Sequence, residues 1–470
     1  MSLEQQIGTA TQPLRVAIIG AGPAGFYAAE SLFKHTELNC QIDMFNRFPT
    51  PFGLVREGVA PDHQTIKSVT RIYDKIAENP KFRYFGNVTF GSDILLEDLQ
   101  KYYDQIIFAF GAQSDRRMGI PGEDLLGSYP ATIFVGWYNG HPDYWNLDFD
   151  LSCERVAVVG NGNVAMDVAR ILVTNPDELA TTDICDYSLE RLRQSKIKEV
   201  IMLGRRGPVQ AAFTNPELKE FGELAGVDVI VHPADLELDE TSQAALASDK
   251  NATRNVETLK KYLNREQTPE HRKIDMRFLV SPVEILGEDG KVKAVRLEKN
   301  RLVAQADGSV KAVGTGEYEL IEVGMVFRSV GYKGVAVPGL PFDEKNGTIP
   351  NKAGRVYDPQ TDQLVAGSYV VGWAKRGPSG IIGTNKPDSA ATVASMVGDL
   401  LTLTPIPDEN RDPELIVELL KVRKPDYITY AHWQLINRAE VERGVAQGRP
   451  RVKFTSVPEM LEALKQPDTV

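Results

Sequence analysis

One pattern occurs twice in this 470-residue chain: an apolar run, a glycine-rich turn and a stretch with helical apolar spacing. The first copy reads LRVAIIG, with the turn GAGPAG (residues 20–25) and then FYAAESLFKH. The second reads RVAVVG, with the turn GNGNVA (residues 160–165) and then VAMDVARILV. A further apolar run, QIDMF or EVIMLG, follows each copy. This β-turn-α-β order predicts an α/β protein with two doubly wound sheets.

The GAGPAG turn has the residue types that a dinucleotide pyrophosphate requires. Gly20 permits the turn, Gly22 lets the backbone approach the phosphates, and Gly25 lets the helix lie close to the strand. The helix start then offers unpaired N–H groups to the anion. An ordinary glycine-rich loop is the alternative, but the flanking strand and helix favour dinucleotide binding. The ribose-binding carboxylate expected after the second strand is replaced by Asn46, and Asp43 lies earlier in that strand.

The strand that follows the second turn ends in different residues from the strand that follows the first. Its third glycine position holds Ala165, and its partner strand ends in Arg205 and Arg206 instead of a carboxylate. Two guanidinium groups can bind a 2′-phosphate, which a carboxylate would repel. A basic surface turn is the alternative. The position at the ribose end of a dinucleotide fold favours recognition of NADP(H) over NAD(H).

Other segments indicate how the rest of the chain is organised. The apolar run YDQIIFAFGA (103–112) predicts a strand, and residues 270–330 predict antiparallel strands around turns such as 288–290. GWAKRGPSG (372–380) predicts a close backbone approach to a flat ligand, and PFGLVREGVAPDH (51–63) an irregular loop. Residues 405–470 predict two or three amphipathic helices.

The bulk properties limit the class of protein. A net charge of -11 argues against non-specific nucleic-acid binding, and no apolar run approaches a membrane-spanning length. The three cysteines, Cys40, Cys153 and Cys185, form no Cys-x-x-Cys pair, so neither an iron–sulfur site, nor a dithiol centre, nor a metal is expected. The first residues lack the pattern of a signal peptide, so we expect a cytoplasmic protein. No stretch predicts an oligomerisation surface, which favours a monomer.

Taken together, the motifs identify a family. GAGPAGFYAAE, PTPFGLVREGVAPDH, FVGWYNG, GNGNVAMDVARIL, GRRGPVQAAF, GWAKRGPSGIIGTN and RGVAQGRPRVKF, in this order, resemble the adrenodoxin-reductase-type ferredoxin–NADP⁺ reductases over nearly the whole chain. The resemblance implies two Rossmann-like dinucleotide-binding domains on the glutathione-reductase-like plan. An NADP domain (113–330) would be inserted into a discontinuous FAD domain (1–112 and 331–470), whose second part ends in a helical extension.

The resemblance also assigns site residues. Those matching the family's FAD positions are Gly20, Gly22, Ala24, Gly25, Leu54, Val88, Trp373, Gly380, Ile381 and Ile382, with Asn46 where the family usually carries Glu. Those matching its NADP positions are Arg116, Asn161, Gly162, Asn163, Val164, Arg205, Arg206, Glu217 and Gly380. His63 and Glu217 match residues near the flavin–nicotinamide pair and are the expected catalytic residues.

The implied reaction is electron transfer between NADPH and ferredoxin, an iron–sulfur protein that carries one electron at a time. An acidic ferredoxin would dock on a basic patch, for which we select Arg254, Lys260, Lys261, Arg265, Arg272 and Lys273; a solvated helix face is the alternative. A second interpretation is an NADPH-oxidising flavoprotein subunit of a larger complex, like the small subunit of glutamate synthase. Those subunits usually carry N-terminal cysteine clusters, which this sequence lacks.

Overall fold

A computed structural model describes residues 7–306 and 309–465. The strands are β1 Leu14–Ile19, β2 Cys40–Phe45, β3 Phe82–Phe85, β4 Gln105–Phe108, β5 Ser114–Asp115, β6 Ser128–Pro130, β7 Arg155–Val159, β8 Glu199–Leu203, β9 Val227–Val231, β10 Arg272–Arg277, β11 Val280–Glu288, β12 Lys291–Ala304, β13 Val310–Glu322, β14 Met325–Arg328, β15 Tyr332–Lys333, β16 Asn351–Lys352, β17 Arg355–Asp358 and β18 Gln363–Val370.

Helices alternate with these strands. They are α1 Pro23–Lys34, α2 Leu54–Glu57, α3 Gln64–Lys67, α4 Thr70–Ala77, α5 Leu96–Tyr102, α6 Ala131–Asn139, α7 Asn163–Val173, α8 Pro176–Leu179, α9 Asp186–Arg193, α10 Asn215–Phe221, α11 Glu240–Leu246, α12 Lys250–Leu263, α13 Trp373–Arg376, α14 Asn385–Gly398, α15 Glu414–Arg423, α16 Tyr430–Val445 and α17 Val457–Ala463. Within the described ranges, no helix has the length and apolar character needed to cross a membrane.

The chain divides into two compact units. The first comprises Met1–Asp115, Asn139–Asp143 and Gly331–Val470. Its main sheet has the order β16-β17-β18-β4-β1-β2-β3, in which the strands from β18 to β3 are parallel. All six residues of β1 are buried, as expected for a central parallel strand that is covered on both faces.

The second unit comprises Arg116–Tyr138 and Tyr144–Val330. Its parallel six-stranded sheet has the order β6-β14-β7-β8-β10-β9, and β11, β12 and β13 form a separate antiparallel sheet. In both units a glycine-rich turn joins a central strand, β1 or β7, to the helix that follows it. The predicted α/β class with two doubly wound sheets is therefore confirmed.

One prediction within 270–330 is wrong. The antiparallel arrangement holds for β11 to β13, but β10 pairs in parallel with β8 and β9. Likewise β14, in the run MVFR, pairs in parallel with both β6 and β7. All four residues of β14 are buried, which is typical of a central parallel strand. Three apolar residues followed by Arg328 are too short a run to carry a periodicity that would distinguish the two arrangements.

Candidate functional site

The first glycine-rich turn fulfils the three glycine roles. Gly20 has φ +110°, and a Cβ there would lie 2.6 Å from the Ala109 carbonyl oxygen. Gly22 precedes α1, and a Cβ there would meet nothing within 4 Å, so this face of the turn is open to a ligand. A Cβ on Gly25 would lie 2.4 Å from the Gly20 carbonyl oxygen. Because glycine has no Cβ, the helix can lie this close to the strand. The α1 start has no side-chain cap, so its N–H groups are available to an anion.

Two other glycine motifs lie against this turn. Phe52 N–H donates to the Ala21 carbonyl at 2.8 Å, and a Cβ on Gly53 would lie 3.2 Å from Gly22 Cα. On the other side, a Cβ on Gly372 would lie 2.6 Å from Ala24 Cβ. The structure therefore brings the GAGPAG turn, the 51–63 loop and the 372–380 loop together at the carboxyl edge of one sheet.

The end of β2 differs from the dinucleotide pattern. Asn46 Nδ2 donates to the carbonyls of Phe48 and Thr50, each at 3.0 Å, while its Oδ1 lies 3.4 Å from Ala21 N. Both amide hydrogens thus hold the 48–50 turn, and Oδ1 is the atom of this side chain that can accept from a ribose hydroxyl.

Asp43 serves the fold instead of a ligand. Its buried carboxylate accepts hydrogen bonds from Arg15, Arg83 and Tyr103. Since all of these donors come from the protein, Asp43 is not a substitute for the missing ribose-binding carboxylate.

The remaining residues predicted to contact the flavin all lie in the first unit. Leu54 begins α2 and is 37% exposed, and Ile381 is 65% exposed, so both side chains have apolar surface that a ligand could cover. Trp373 begins α13, and its Nε1 donates to the Ser379 carbonyl at 3.2 Å. Gly380 has φ +79° and lies in the same loop. The other two are Val88, which is buried, and Ile382, which is half-buried. Val88 N donates to the Asn46 carbonyl at 2.9 Å.

The second glycine-rich turn repeats the first with different side chains. Gly160 has φ +138°, and a Cβ there would lie 2.3 Å from the Ser329 carbonyl oxygen. A Cβ on Gly162, which precedes α7, would meet nothing within 4 Å. The Asn161 carbonyl accepts from Ala212 N at 2.8 Å, and Asn163 Oδ1 accepts from Thr214 N at 2.9 Å. These two bonds fix the turn against the segment after β8, and Val164 packs on the core of this unit.

Arg205 and Arg206 follow β8, and Gly204 just before them lies against the Asn161 side chain. Arg205 is exposed and Arg206 is half-buried. Across residues 7–306 and 309–465, no carboxylate lies within 4.0 Å of either guanidinium. Burial and then the charge of Arg205 lower the pKa of Arg206 below its usual value. The two adjacent guanidinium groups repel each other, and a bound anion would reduce that repulsion.

The two predicted catalytic residues belong to different units. His63 precedes α3, and its carbonyl accepts from Ile66 N at 3.1 Å. Glu217, in α10, is 8% exposed, and its Oε2 lies 3.4 Å from Arg170 Nη1. The predicted Arg116 is exposed and follows β5.

The sequence did not reveal the group that positions Glu217. Arg170 is 2% exposed; besides Glu217 it donates to Asp167 at 2.7 Å and lies 3.4 Å from Glu220. Arg170 lies within VAMDVARILV, and the pair Asp167 and Arg170, three residues apart in an otherwise apolar helical run, was the available signal.

The sequence also missed a buried brace of the 51–63 loop. Arg56 Nη1 donates to Glu440 Oε2 at 2.8 Å, and Lys453 Nζ donates to the Arg56 carbonyl at 3.2 Å. Glu440 is fully buried and Lys453 is 5% exposed. The C-terminal motif RGVAQGRPRVKF therefore has a structural role, because it holds the loop that carries Leu54 and His63.

The predicted basic patch is smaller than the sequence indicated. Arg254, Lys260, Lys261 and Arg265 are exposed on α12 or just after it. Arg272 and Lys273 are half-buried, and Arg272 Nη1 donates to the carbonyls of Val173 and Thr174 at 3.1 and 3.4 Å. Arg265 Nη1 also donates to a carbonyl, that of Gly222 at 2.8 Å, but its side chain stays exposed. The basic patch is hereafter the four exposed residues.

Known proteins are similar to this chain in sequence and in fold. Residues 14–221 match the family described as pyridine nucleotide-disulphide oxidoreductase. NADPH-ferredoxin reductase FprA of Mycobacterium tuberculosis is 48% identical over 460 residues, which cover 96% of this chain and 99% of that protein. The mitochondrial NADPH:adrenodoxin oxidoreductase of Arabidopsis thaliana is 39% identical over 464 residues, with 96% of each chain covered. The structure of Mycobacterium tuberculosis FprA in complex with NADPH matches with a TM-score of 0.91 at 47% identity, covering 97% of this chain and 100% of that one.

Proposed function

Because this chain belongs to the family of adrenodoxin-reductase-type ferredoxin–NADP⁺ reductases, we propose that it is an FAD-dependent oxidoreductase that transfers electrons between NADPH and ferredoxin. In this proposal the first unit is the FAD-binding domain and the second is the NADP-binding domain. We keep the domain boundaries predicted from the sequence, after residues 112 and 330, as part of this proposal.

The observation that carries the proposal is the pair Arg205 and Arg206 after β8. They follow the strand next to the GNGNVA turn and have no carboxylate partner in the described part of the chain. A 2′-phosphate on the adenosine ribose supplies the anion that these guanidinium groups lack. The open face at Gly162 and the start of α7 receive the pyrophosphate of the same substrate. Arg116, Asn161, Asn163, Val164, Glu217 and Gly380 complete the proposed NADP set.

The first unit fits FAD on two independent observations. The open face at Gly22, at the uncapped start of α1, suits a pyrophosphate. The exposed Leu54 and Ile381 side chains suit a flat apolar ring that would cover them. The proposed FAD set is Gly20, Gly22, Ala24, Gly25, Asn46, Leu54, Val88, Trp373, Gly380, Ile381 and Ile382.

The chain's own residues bind, orient and shield the reactants. Bound FAD supplies the chemistry that takes up the two electrons of a hydride and releases them singly. Arg170 keeps the Glu217 carboxylate in place by donating from Nη1. The Arg56–Glu440 pair holds the loop that presents His63. We assign to the His63 imidazole and the Glu217 carboxylate an electrostatic or proton-transfer role in hydride transfer.

A spectrum and a titration test the proposal. The purified protein is expected to be yellow, with flavin absorption in the visible range. Anaerobic NADPH is expected to bleach that absorption at far lower concentration than NADH, and NADPH with added ferredoxin to reduce cytochrome c. A colourless protein, or equal bleaching by both nucleotides, would contradict the proposal.

The catalytic assignment has its own test. In His63→Gln and Glu217→Gln, stopped-flow flavin reduction by NADPH is expected to slow by roughly tenfold or more while FAD stays bound. Ser92→Ala, an exposed change in the first unit, serves as the control. Flavin reduction at the control rate in both variants would remove the two residues from the mechanism.

The partner and the setting complete the proposal. An acidic ferredoxin would dock on the basic patch, so the rate of ferredoxin reduction should fall as the salt concentration rises. A rate that does not depend on salt would count against docking by charge.

Free thiols at Cys40, Cys153 and Cys185 support a reducing compartment such as the cytoplasm. We also favour a monomer, which gel filtration of the holoenzyme can check.

A further inference from the structure

The chain just after β8 is held by the connection between β10 and β11. The Gly204 carbonyl accepts from Val280 N at 3.0 Å, and the Arg206 carbonyl accepts from Leu279 N at 3.1 Å. Leu279 has φ +53°, a left-handed conformation that is uncommon for a residue other than glycine. The connection therefore adopts an uncommon backbone conformation at the residue whose N–H reaches the second arginine.

Between these two backbone contacts, a side chain binds the first arginine. Asn300, in β12, donates from Nδ2 to the Arg205 carbonyl at 2.9 Å. Nδ2 also donates to Ser281 Oγ at 2.8 Å, so both hydrogens of this amide are used. The backbone N–H of Asn300 donates to the Leu279 carbonyl at 2.7 Å. The half-buried Asn300 is thus fixed to the same connection that holds Arg206.

The bond from Asn300 fixes the peptide group between the two arginines. The orientation of that planar group depends on ψ of Arg205 and φ of Arg206, so it sets the directions in which the two side chains leave the backbone. If this peptide could rotate, the guanidinium groups would occupy more positions, and gathering them around one anion would cost conformational entropy. Groups that are already arranged for an anion bind it more tightly than the same groups on a loose segment.

We propose that Asn300 is a positioning residue for nucleotide specificity: by fixing the peptide between Arg205 and Arg206, it increases the preference for NADPH over NADH. This inference rests on the proposed function, because it requires that the two arginines bind the 2′-phosphate. Asn300 lies outside the sequence motifs that identify the family, and its effect does not require contact with the nucleotide.

The test measures kcat/KM of each holoenzyme for NADPH and for NADH, with ferricyanide as the electron acceptor. In Asn300→Ala we expect the ratio of the two values to fall by about threefold to tenfold, which corresponds to the loss of one hydrogen bond. The fall should come from a higher KM for NADPH with little change in kcat, because the residue affects nucleotide binding and not the transfer of the hydride. Asn300→Gln, which keeps an amide donor, should lose less.

Asn264→Ala is the matched control in the same unit. Asn264 is exposed, and its Nδ2 also donates to a backbone carbonyl, that of Lys260 at 3.0 Å. The control should leave the ratio unchanged. An unchanged ratio in Asn300→Ala would overturn the inference. KM values that rise equally for both nucleotides would do the same, by showing that Asn300 only stabilises the fold.

A double-mutant cycle tests whether Asn300 acts through the arginines. In the double variant Arg205→Gln/Arg206→Gln, adding Asn300→Ala should change the ratio by less than about twofold, because no guanidinium is left to position. A further fall of the same size as in the wild-type background would overturn the inference. If the double variant itself kept the wild-type preference for NADPH, the proposed function would fail instead.

Two milder variants carry the test if Asn300→Ala does not fold. Ser281→Ala removes the hydroxyl that anchors the Asn300 amide but leaves the bond to Arg205 possible, so we expect a smaller fall in the ratio. Asn300→Gln is expected to give a fall in the same direction. Wild-type ratios in both variants would overturn the inference.

Discussion

The two glycine-rich turns share a backbone but differ in what surrounds them. Gly22 and Gly162 both precede a helix, and both present an open face to a ligand. The first turn is enclosed by loops from distant parts of the chain, at Gly53 and Gly372. The second is fixed mainly by the segment after β8, through Asn161 and Asn163. An enclosed turn suits a cofactor that stays bound, and a more open one suits a substrate that must leave.

The strands that follow the two turns, β2 and β8, also end differently. After β2, Asn46 uses both amide hydrogens to hold the protein's own 48–50 turn. After β8, Arg205 and Arg206 have no carboxylate partner among the described residues. The first strand end therefore contributes structure, and in our proposal the second contributes specificity for NADPH, although the two βαβ units have the same local sequence pattern.

The largest expected effect comes from removing the two arginines. In the double variant Arg205→Gln/Arg206→Gln, kcat/KM for NADPH should fall by about 100- to 1,000-fold, because two charge-assisted contacts to the 2′-phosphate are lost. The value for NADH should change by less than about threefold, since NADH lacks that phosphate. Steady-state reduction of ferricyanide measures both values.

Arg296→Gln is the matched control for that variant. Arg296 is also exposed in the second unit, but its guanidinium pairs with Glu284 at 3.2 Å. The control should leave the preference for NADPH unchanged. An equal loss with both nucleotides in the double variant would mean that the arginines do not read the 2′-phosphate.

The second comparison adds one methyl group at the equivalent position of each turn. Gly22→Ala should weaken FAD binding by about 10- to 100-fold and Gly162→Ala should weaken NADPH binding similarly, because the methyl occupies the space of the pyrophosphate. Neither Cβ meets a protein atom within 4 Å, and both residues have negative φ, so the fold should be unaffected. Free-FAD fluorescence and NADPH titration measure the two affinities.

Gly398→Ala controls for adding a methyl in open space, because a Cβ there also meets nothing within 4 Å. Each turn variant should affect its own ligand alone. If Gly162→Ala released FAD, or if Gly22→Ala left FAD binding unchanged, the assignment of one ligand to each turn would be wrong.

Sequence patterns predicted both turns because the signal is local. A buried strand, a glycine turn and a helix lie within about 20 residues of one another, and their spacing is set by the backbone. The brace between Arg56 and Glu440 could not be predicted in this way, since the two residues are 384 positions apart. Likewise, nothing local shows that Asp43 is committed to Arg15, Arg83 and Tyr103. Such long-range pairing of polar groups depends on the folded structure.

The third position of the turn provides a smaller effect, on stability. In Gly25→Ala the new Cβ would lie 2.4 Å from a backbone oxygen, and overpacking of this kind costs about 1–3 kcal/mol. The reverse change in the other turn, Ala165→Gly, should cost about 1–2 kcal/mol, because the lower helix propensity and the loss of a buried methyl each contribute up to about 1 kcal/mol. Urea unfolding of each holoenzyme measures both. A Gly25→Ala variant as stable as wild type would show that the two turns tolerate the same side chains.

The smallest expected effect is a difference in pH response between the units. In the first unit, burial would raise the pKa of Glu440, but the charge and hydrogen bonds of Arg56, with help from Arg451, hold it below its usual value. Its contribution to stability is therefore present above the unfolded pKa near 4.5 and is lost as pH falls through the lower folded pKa.

In the second unit the sign is opposite. The hydrogen bond with Asp275, at 2.7 Å, raises the pKa of His232 against the effect of burial. The contribution of His232 is complete below its unfolded pKa near 6.5 and is lost as pH rises through the raised folded value. Because this side chain is 39% exposed, solvent screens the pair, and we expect His232→Gln to lower the melting temperature by only about 1–2 °C at pH 5.5 and less at pH 8.5. Thermal unfolding at both pH values checks the sign. A larger loss at pH 8.5 would mean that the histidine is stabilising in its neutral form, and the contrast between the units would disappear.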